Sequence, residues 1–255
     1  MDHPTLTSLS LTHVHYNPHD IFSWISAYLA LVPQALIISY VTLIWATREI
    51  EVVIMFAGQL GCEGLNWILK RYFREARPTE TIGKGYGMPS SHAQYAFYFA
   101  TYLSLFLLFR QTSSPNSTPH PILHSLLSLL SASAVAYSRI YLTYHTSSQV
   151  LVGCAAGAGC AVAWFCATAM ARRMGVVEGV LEGEVTRWLK MRDLVVEESL
   201  EEAGWERWEN RRRWENSRRG KMGKRKEEIV GGGGGGGVGG GGNGSGGGKE
   251  KKKRR

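Results

Sequence analysis

The sequence predicts an all-α protein: a multi-span transmembrane bundle of about five helices, a cytosolic helical tail and a disordered C-terminus. Apolar runs fill the first 170 residues, which contain only eight Lys or Arg and seven Asp or Glu. The net charge of +8 therefore lies mainly in the rest of the chain. This separation favours a membrane bundle with a basic tail and argues against a nucleic-acid-binding domain, whose basic residues would be spread over the fold.

Five apolar runs approach the roughly 20 residues that a bilayer-spanning helix needs. They lie at about 22–47, 50–70, 93–110, 121–138 and 148–171. Pro33 predicts a kink in the first run. The last run is rich in Gly and Ala, which suits close packing between membrane helices.

The same composition divides the chain into four parts. These are a lumenal N-terminal segment (1–21), a transmembrane domain (22–171), an amphipathic helical tail (172–220) and a Gly-rich linker with a basic end (221–255). The tail is expected either to lie at the membrane interface or to pack against the cytosolic ends of the bundle.

The placement of Lys and Arg predicts the orientation of the bundle. No Lys or Arg precedes Arg48, and the basic tail follows the fifth run. The positive-inside rule therefore puts the N-terminus on the lumenal or external side and the tail in the cytosol. The loops at 71–92 and 139–147 then share the lumenal side, although both contain cations. Two explanations are open: contact with lipid headgroups, or a phosphate-binding site.

Cysteine use excludes a disulfide-built domain. All four Cys lie inside apolar runs, and their spacing matches no zinc site. We therefore interpret them as small buried apolar residues and expect neither a metal nor a cofactor.

A first polar cluster lies at the end of the second span, where Lys70 precedes Arg77 and Pro78. Seven residues make nearly two helical turns, so the two cations are expected on one helix face, about 10 Å apart. Because proline disfavours helical geometry in the residue before it, the chain is expected to turn at Arg77.

Two further clusters lie at the ends of later spans. The string Pro89-Ser90-Ser91-His92 follows a Gly-rich loop and opens the third span, where a helix N-terminus can bind an anion. The string Ser138-Arg139 ends the fourth span, and His145 and Gln149 then follow, one helical turn apart if the fifth helix has begun.

Together these clusters resemble the signature of the type 2 phosphatidate phosphatase superfamily, whose three motifs occur here in order. Two positions depart from that signature, since Ser91 stands where Gly is usual and Gln149 where Asp is usual. Both departures, together with Glu63 and Asn66 in the string CEGLNWILK, resemble the dolichyldiphosphatase branch. The resemblance covers about 22–195.

The resemblance implies a role for each motif residue. The implied phosphate-binding residues are Lys70, Arg77, Ser90, Ser91 and Arg139. The implied catalytic residues are His145 as the nucleophile, His92 as the general acid and base, and Gln149, which orients His145. The implied supporting residues are Glu63, Asn66 and Ser138. The chemistry is consistent with these roles, since positioned cations stabilise the charge of a phosphoryl group in transfer.

The resemblance further implies an enzyme that hydrolyses dolichyl diphosphate at the lumenal face of the endoplasmic reticulum membrane. This reaction would recycle the lipid carrier that protein N-glycosylation uses. Its expected partners are this polyprenyl diphosphate substrate and the membrane lipids. Alternatives remain: a phosphatase for other lipid phosphates or polyprenyl diphosphates, or a non-catalytic scaffold. A channel or transporter would need internal repeats or polar midplane helices, which the sequence does not display.

Overall fold

The structure, a computed structural model, describes residues 7–9, 14–78, 85–111, 120–197 and 205–231. The chain divides into two compact units, Met1–Ala203 and Gly204–Arg255. The first unit holds strands β1 (Thr7–Leu9) and β2 (Val14–Tyr16) and helices α1 (Ile21–Leu29), α2 (Val32–Thr47), α3 (Ile50–Phe73), α4 (Ser91–Leu105), α5 (Pro121–Tyr141), α6 (Ser147–Arg173), α7 (Val176–Glu182) and α8 (Glu184–Trp188). The second unit holds α9 (Trp205–Gly231).

The membrane character of the bundle is confirmed. Among the described residues, four helical segments are long and apolar enough to cross a bilayer: Ile21–Thr47, Ile50–Phe73, Pro121–Tyr141 and Ser147–Arg173. The first combines α1 and α2, which are separated at Ala30 and Leu31. Pro33 lies in the first turn of α2, so the predicted interruption of this span is confirmed.

The predicted third span is α4, which is shorter than its neighbours. Its 15 residues continue as a π-helical turn over Phe106–Arg110. Helix α4 lies at the centre of the bundle and packs against α3, α5 and α6. Small buried residues along α4, such as Ala96 and Ala100, allow these helices to approach it closely.

Close packing of α6 on α4 depends on two glycines of α6. A Cβ atom added at Gly153 would lie 2.7 Å from the carbonyl oxygen of Ser90. A Cβ atom at Gly157 would collide with the carbonyl oxygen of Gln94. The small residues of the last span therefore bring the start of α4 against the start of α6, which positions the motif residues found there.

The other end of the bundle is closed by buried ion pairs. The Glu51 carboxylate lies 2.5 Å from Arg110 and 2.6 Å from Arg172, and it accepts a hydrogen bond from the Tyr102 hydroxyl. Arg172 also pairs with Asp193 at 2.5 Å. These contacts join α3, α4 and α6 to the chain that follows α8.

The tail departs from the single helical segment predicted for it. Gly183 separates α7 from α8, and Lys190 adopts a positive φ of 55° just after α8. Val195 then packs into the core of the bundle. Helix α9 continues past the predicted boundary at 220 as far as Gly231; residues 232–255 lie outside the described residues.

Candidate active site

The polar clusters of three motifs meet at one end of the bundle. The last turn of α3 contacts the first turn of α4 through Lys70 and Ser91. The starts of α4 and α6 are joined by a hydrogen bond from the Ser90 amide to the Gln149 carbonyl, 3.1 Å long. Helix ends that are far apart in sequence thus form one polar surface.

Lys70 and Arg77 approach the site by different routes. Lys70 donates from Nζ to the Ser91 hydroxyl at 2.5 Å. The expectation that both cations share a helix face is wrong, because α3 ends at Phe73 and Arg74 adopts a left-handed conformation with φ 50°. Arg77 therefore lies in the segment after the helix, where its charge still acts on Lys70 and His145.

The start of α4 offers donors to an anion. Ser90 is the N-cap residue, it is fully buried, and its side chain makes no capping hydrogen bond. The first turn of α4 contains no acidic residue. Its backbone N–H groups and the helix dipole therefore favour a bound phosphate.

His92 follows in the same turn, next to the break between the first two helices. Its imidazole faces the backbone carbonyl of Ala30 and lies within the electrostatic reach of Arg139, His145 and Lys70. A carbonyl near one ring nitrogen favours the tautomer that donates to it. The other ring nitrogen is then available for proton transfer.

Arg139, in the last turn of α5, is 2% exposed. It donates from Nη2 to the Ser26 carbonyl at 3.2 Å and from Nε to the Ser138 hydroxyl at 3.2 Å. Ser138 in turn donates to the Val135 carbonyl at 2.7 Å. A guanidinium has five N–H donors, so these two bonds hold Arg139 in place and leave donors for an anion.

His145 and Gln149 form the pair that their spacing predicts. His145 lies just before α6, whose N-cap is Thr146, and Gln149 completes a capping box with Thr146. The Nδ1 atom of His145 lies 3.3 Å from Oε1 of Gln149. Both side chains are buried, so the contact is protected from water.

Glu75 fixes the orientation of the Gln149 amide. Nε2 of Gln149 donates to Oε1 of Glu75 at 2.8 Å and to the Ala76 carbonyl at 2.9 Å. Oε1 of Gln149 is consequently the atom that faces His145, and an amide oxygen can only accept. In this arrangement His145 donates from Nδ1, and Nε2 carries the lone pair that a nucleophile needs.

The environment of His145 favours this neutral form. Burial, followed by the positive charge of Arg77, lowers the pKa of His145 to about 4, although the hydrogen bond with Gln149 acts in the opposite direction. At neutral pH the imidazole is then uncharged and can attack an electrophile.

Two of the supporting residues lie behind the first turn of α4. Asn66 donates from Nδ2 to Oε1 of Gln94 at 2.7 Å, and Gln94 donates to the Cys62 carbonyl at 2.8 Å. This buried network fixes α3 against α4. Glu63 lines a cavity beside His92, and its Oε1 atom has no hydrogen-bond partner among the described residues.

Known proteins are similar to this chain in sequence. A Neurospora crassa protein provisionally named dolichyldiphosphatase is 46% identical over 81% of this chain and 93% of its own length. The profile of the PAP2 superfamily matches residues 51–173, which include the motif positions from Lys70 to Gln149. This chain belongs to the PAP2 superfamily.

Within the PAP2 superfamily, the curated relatives indicate the dolichyldiphosphatase branch. Dolichyldiphosphatase 1 of Homo sapiens is 42% identical over 62% of this chain and 69% of its own length. Dolichyldiphosphatase of Saccharomyces cerevisiae is 33% identical over 74% of this chain and 82% of its own length. No solved structure is significantly similar to the chain.

Sequence reasoning misses Glu75, Gln94 and the Ala30 carbonyl, which hold Gln149, Asn66 and His92 respectively. Glu75 stands among Arg71, Arg74 and Arg77, where a carboxylate is normally interpreted as part of a solvated charge cluster. The presence of Gln instead of Asp at position 149 is the signal in the sequence that could point to Glu75. An amide has N–H groups that can donate to a second carboxylate, whereas an Asp carboxylate would repel it.

Proposed function

We propose that this PAP2 superfamily member hydrolyses dolichyl diphosphate to dolichyl phosphate and inorganic phosphate through a phosphohistidine intermediate. The observation that carries the proposal is the convergence of His145, His92 and a set of cations at one end of a membrane bundle. The names of the curated relatives support the choice of substrate. The reaction would take place at the lumenal face of the endoplasmic reticulum and recycle the lipid carrier for N-glycosylation.

In the first step, Nε2 of His145 attacks the terminal phosphorus, and the bond from that phosphorus to the bridging oxygen breaks. Lys70, Arg77 and Arg139 stabilise the negative charge on the equatorial oxygens, together with the N-terminus of α4. The negative charge of the bound diphosphate favours the protonated form of His92, which donates its proton to the bridging oxygen, so dolichyl phosphate leaves. The Gln149 carbonyl accepts the Nδ1–H bond of His145 throughout.

In the second step, water attacks the phosphorus of the phosphohistidine while His92 takes a proton from that water. The bond from phosphorus to Nε2 breaks and inorganic phosphate is released. His145 returns to the neutral form that its buried position favours. The two histidines thus divide nucleophilic and proton-transfer work between them, and no step needs a metal ion.

The orientation of the bundle follows from the placement of charge. The basic segments from residue 171 onward favour a cytosolic C-terminus, which puts the catalytic end on the lumenal side. The cations of the catalytic end are exceptions to the positive-inside rule, which would place Lys and Arg in the cytosol. Their role in binding phosphate would explain why they lie on the lumenal side.

The proposal is tested by measuring phosphate release by purified protein in the presence of a chelator. Dolichyl diphosphate, farnesyl diphosphate and phosphatidate are compared at equal mole fraction in detergent micelles. We expect the highest kcat/KM with dolichyl diphosphate. Equal rates on phosphatidate would support a broader lipid phosphate phosphatase, and no release from any of the three would contradict catalysis.

A further inference from the structure

The cavity beside His92, which Glu63 also lines, adjoins the catalytic residues, and the steps above assign no ligand to it. It lies between α2, α3 and α4 and has a volume of about 220 Å³. Its lining consists of Pro33, Gln34, Ile37, Glu63, Ser91, His92 and Tyr95. His145, Arg77 and Arg139, which are all described, do not line this cavity, so it lies on the His92 side of the site.

Two polar atoms of the cavity walls lack a partner. The Tyr95 side chain is only 4% exposed, yet its hydroxyl makes no hydrogen bond to any described residue. Oε1 of Glu63 is likewise buried and unpartnered among the described residues. A buried polar group without a partner costs about 1–3 kcal/mol, so the Tyr95 hydroxyl, which can donate, would be stabilised by an acceptor in this cavity.

The direction of the proposed reaction places the leaving group here. In an in-line displacement, the leaving oxygen lies opposite the attacking Nε2 atom of His145. His92 protonates that oxygen, and His92 lines the cavity. Whatever is attached to the leaving oxygen must therefore extend past His92 into the space between α2 and α4.

In a diphosphate, the group attached to the leaving oxygen is a second phosphate. We propose that the cavity is a subsite for this second phosphate, the one that stays on the lipid, and that Tyr95 and Ser91 donate hydrogen bonds to it. This inference rests on the proposed function. It gives the site a physical means of preferring lipid diphosphates over lipid monophosphates.

The charges around the cavity fit this ligand. Ser91 is held by Lys70 at 2.5 Å, so a cation stands directly behind one wall. Ser91 can donate its hydroxyl hydrogen, because it accepts the bond from Lys70. Glu63 is the one acidic side chain of the lining, and it can donate to the same phosphate only when it is protonated. A lipid monophosphate would leave these donors without an anion, since its leaving group is an alcohol attached directly to the apolar chain.

The test compares farnesyl diphosphate with farnesyl phosphate, which share one chain and differ by one phosphate. A hydrogen bond to a charged group contributes about 1.5–3 kcal/mol, so Tyr95→Phe should lower kcat/KM for farnesyl diphosphate by about tenfold or more. The value for farnesyl phosphate should stay within about twofold, because that substrate brings no second phosphate to the Tyr95 hydroxyl.

Tyr40→Phe is the matched control. Tyr40 is also buried, and its hydroxyl has no hydrogen-bond partner in the described part of the chain, but it lines a separate apolar cavity between α2, α3 and α4, together with residues such as Leu36 and Leu43. It should leave the values for both substrates within about twofold of the wild type. Equal thermal unfolding midpoints for the three proteins establish that the variants fold alike.

Three results would overturn the inference. An equal loss on both substrates in Tyr95→Phe would mean that the hydroxyl supports the fold or the first phosphate, and no loss on either would mean that it binds nothing. Both results leave the proposed function intact. A wild-type protein that hydrolyses neither farnesyl diphosphate nor dolichyl diphosphate would overturn the proposed function and this inference together.

Discussion

At the scale of single residues, a short chain of hydrogen bonds positions His145, the proposed nucleophile. Glu75 orients the Gln149 amide, and the amide oxygen faces Nδ1 of His145. A carboxylate at position 149, in direct contact with His145, would bring a full negative charge next to the imidazole and favour its protonated form. The amide supplies the same acceptor without the charge, so His145 stays neutral while its tautomer is fixed.

Gln149→Asp should shift the pH dependence of the enzyme. The new carboxylate favours protonated His145, which cannot attack, so the acid limb of kcat/KM should move about one pH unit higher. In the wild type that limb should lie far below pH 6.5, because the pKa of His145 is lowered to about 4. The measurement is kcat/KM from pH 4 to 9 at constant ionic strength.

Gln149→Leu is the companion variant, since it removes the acceptor and adds no charge. It should lower the plateau without moving the acid limb upward. A Gln149→Leu profile that coincides with the wild type would show that Gln149 does not orient His145.

Glu75→Ala should lower kcat about tenfold with little change in KM, because the Gln149 amide then keeps only the Ala76 carbonyl as a partner for Nε2. Glu75→Gln retains an acceptor oxygen and should recover most of the lost rate. A purely structural role for Glu75 would instead lower the thermal unfolding midpoint of Glu75→Ala and leave kcat per folded molecule unchanged, contrary to this account.

At the scale of elements, the helices are predictable because lipid demands long apolar runs. The runs at 50–70 and 121–138 differ from Ile50–Phe73 and Pro121–Tyr141 only at their C-terminal ends. The hairpin of β1 and β2 is not predicted, since three-residue strands are too short to display an alternating pattern.

The candidate site was predictable where it consists of motif residues, such as His92 and His145. The backbone partners were not, because any residue can supply a carbonyl: the group that faces His92 comes from Ala30 only because α1 and α2 separate there. Tertiary contacts of this kind leave no local signal in a sequence.

The ion pairs of Glu51 fasten α3, α4 and α6 at the end opposite the site. Glu51→Gln removes the charge while Arg110 and Arg172 stay buried, so the free energy of unfolding should fall by about 3 kcal/mol. Unfolding in detergent micelles, followed by circular dichroism, measures this change.

Glu209→Gln is the control for that stability measurement. Glu209 pairs with Arg213 one turn along α9, and the Arg213 side chain is 74% exposed. Exposed pairs contribute little, so this variant should unfold like the wild type. A Glu51→Gln variant that is as stable as Glu209→Gln would contradict a fastening role for the buried pairs.

At the scale of the whole molecule, every motif residue lies in the first compact unit, Met1–Ala203. Removal of residues 204–255 should therefore leave kcat of the detergent-solubilised enzyme within about twofold. A longer truncation, after Lys190, also removes Asp193 and Val195 from the bundle and should lower thermal stability. A large loss of kcat in the shorter truncation would mean that the second unit contributes to the site.

The proposed mechanism requires a phosphohistidine at His145, and this intermediate can be trapped. Purified protein is mixed with dolichyl diphosphate labelled with ³²P in the terminal phosphate and quenched in base within one turnover. We expect acid-labile, base-stable label on the peptide that contains His145, and we expect His145→Ala to carry none and to lose at least about 10³-fold in kcat. Substantial turnover by His145→Ala, or label on another residue, would contradict the account.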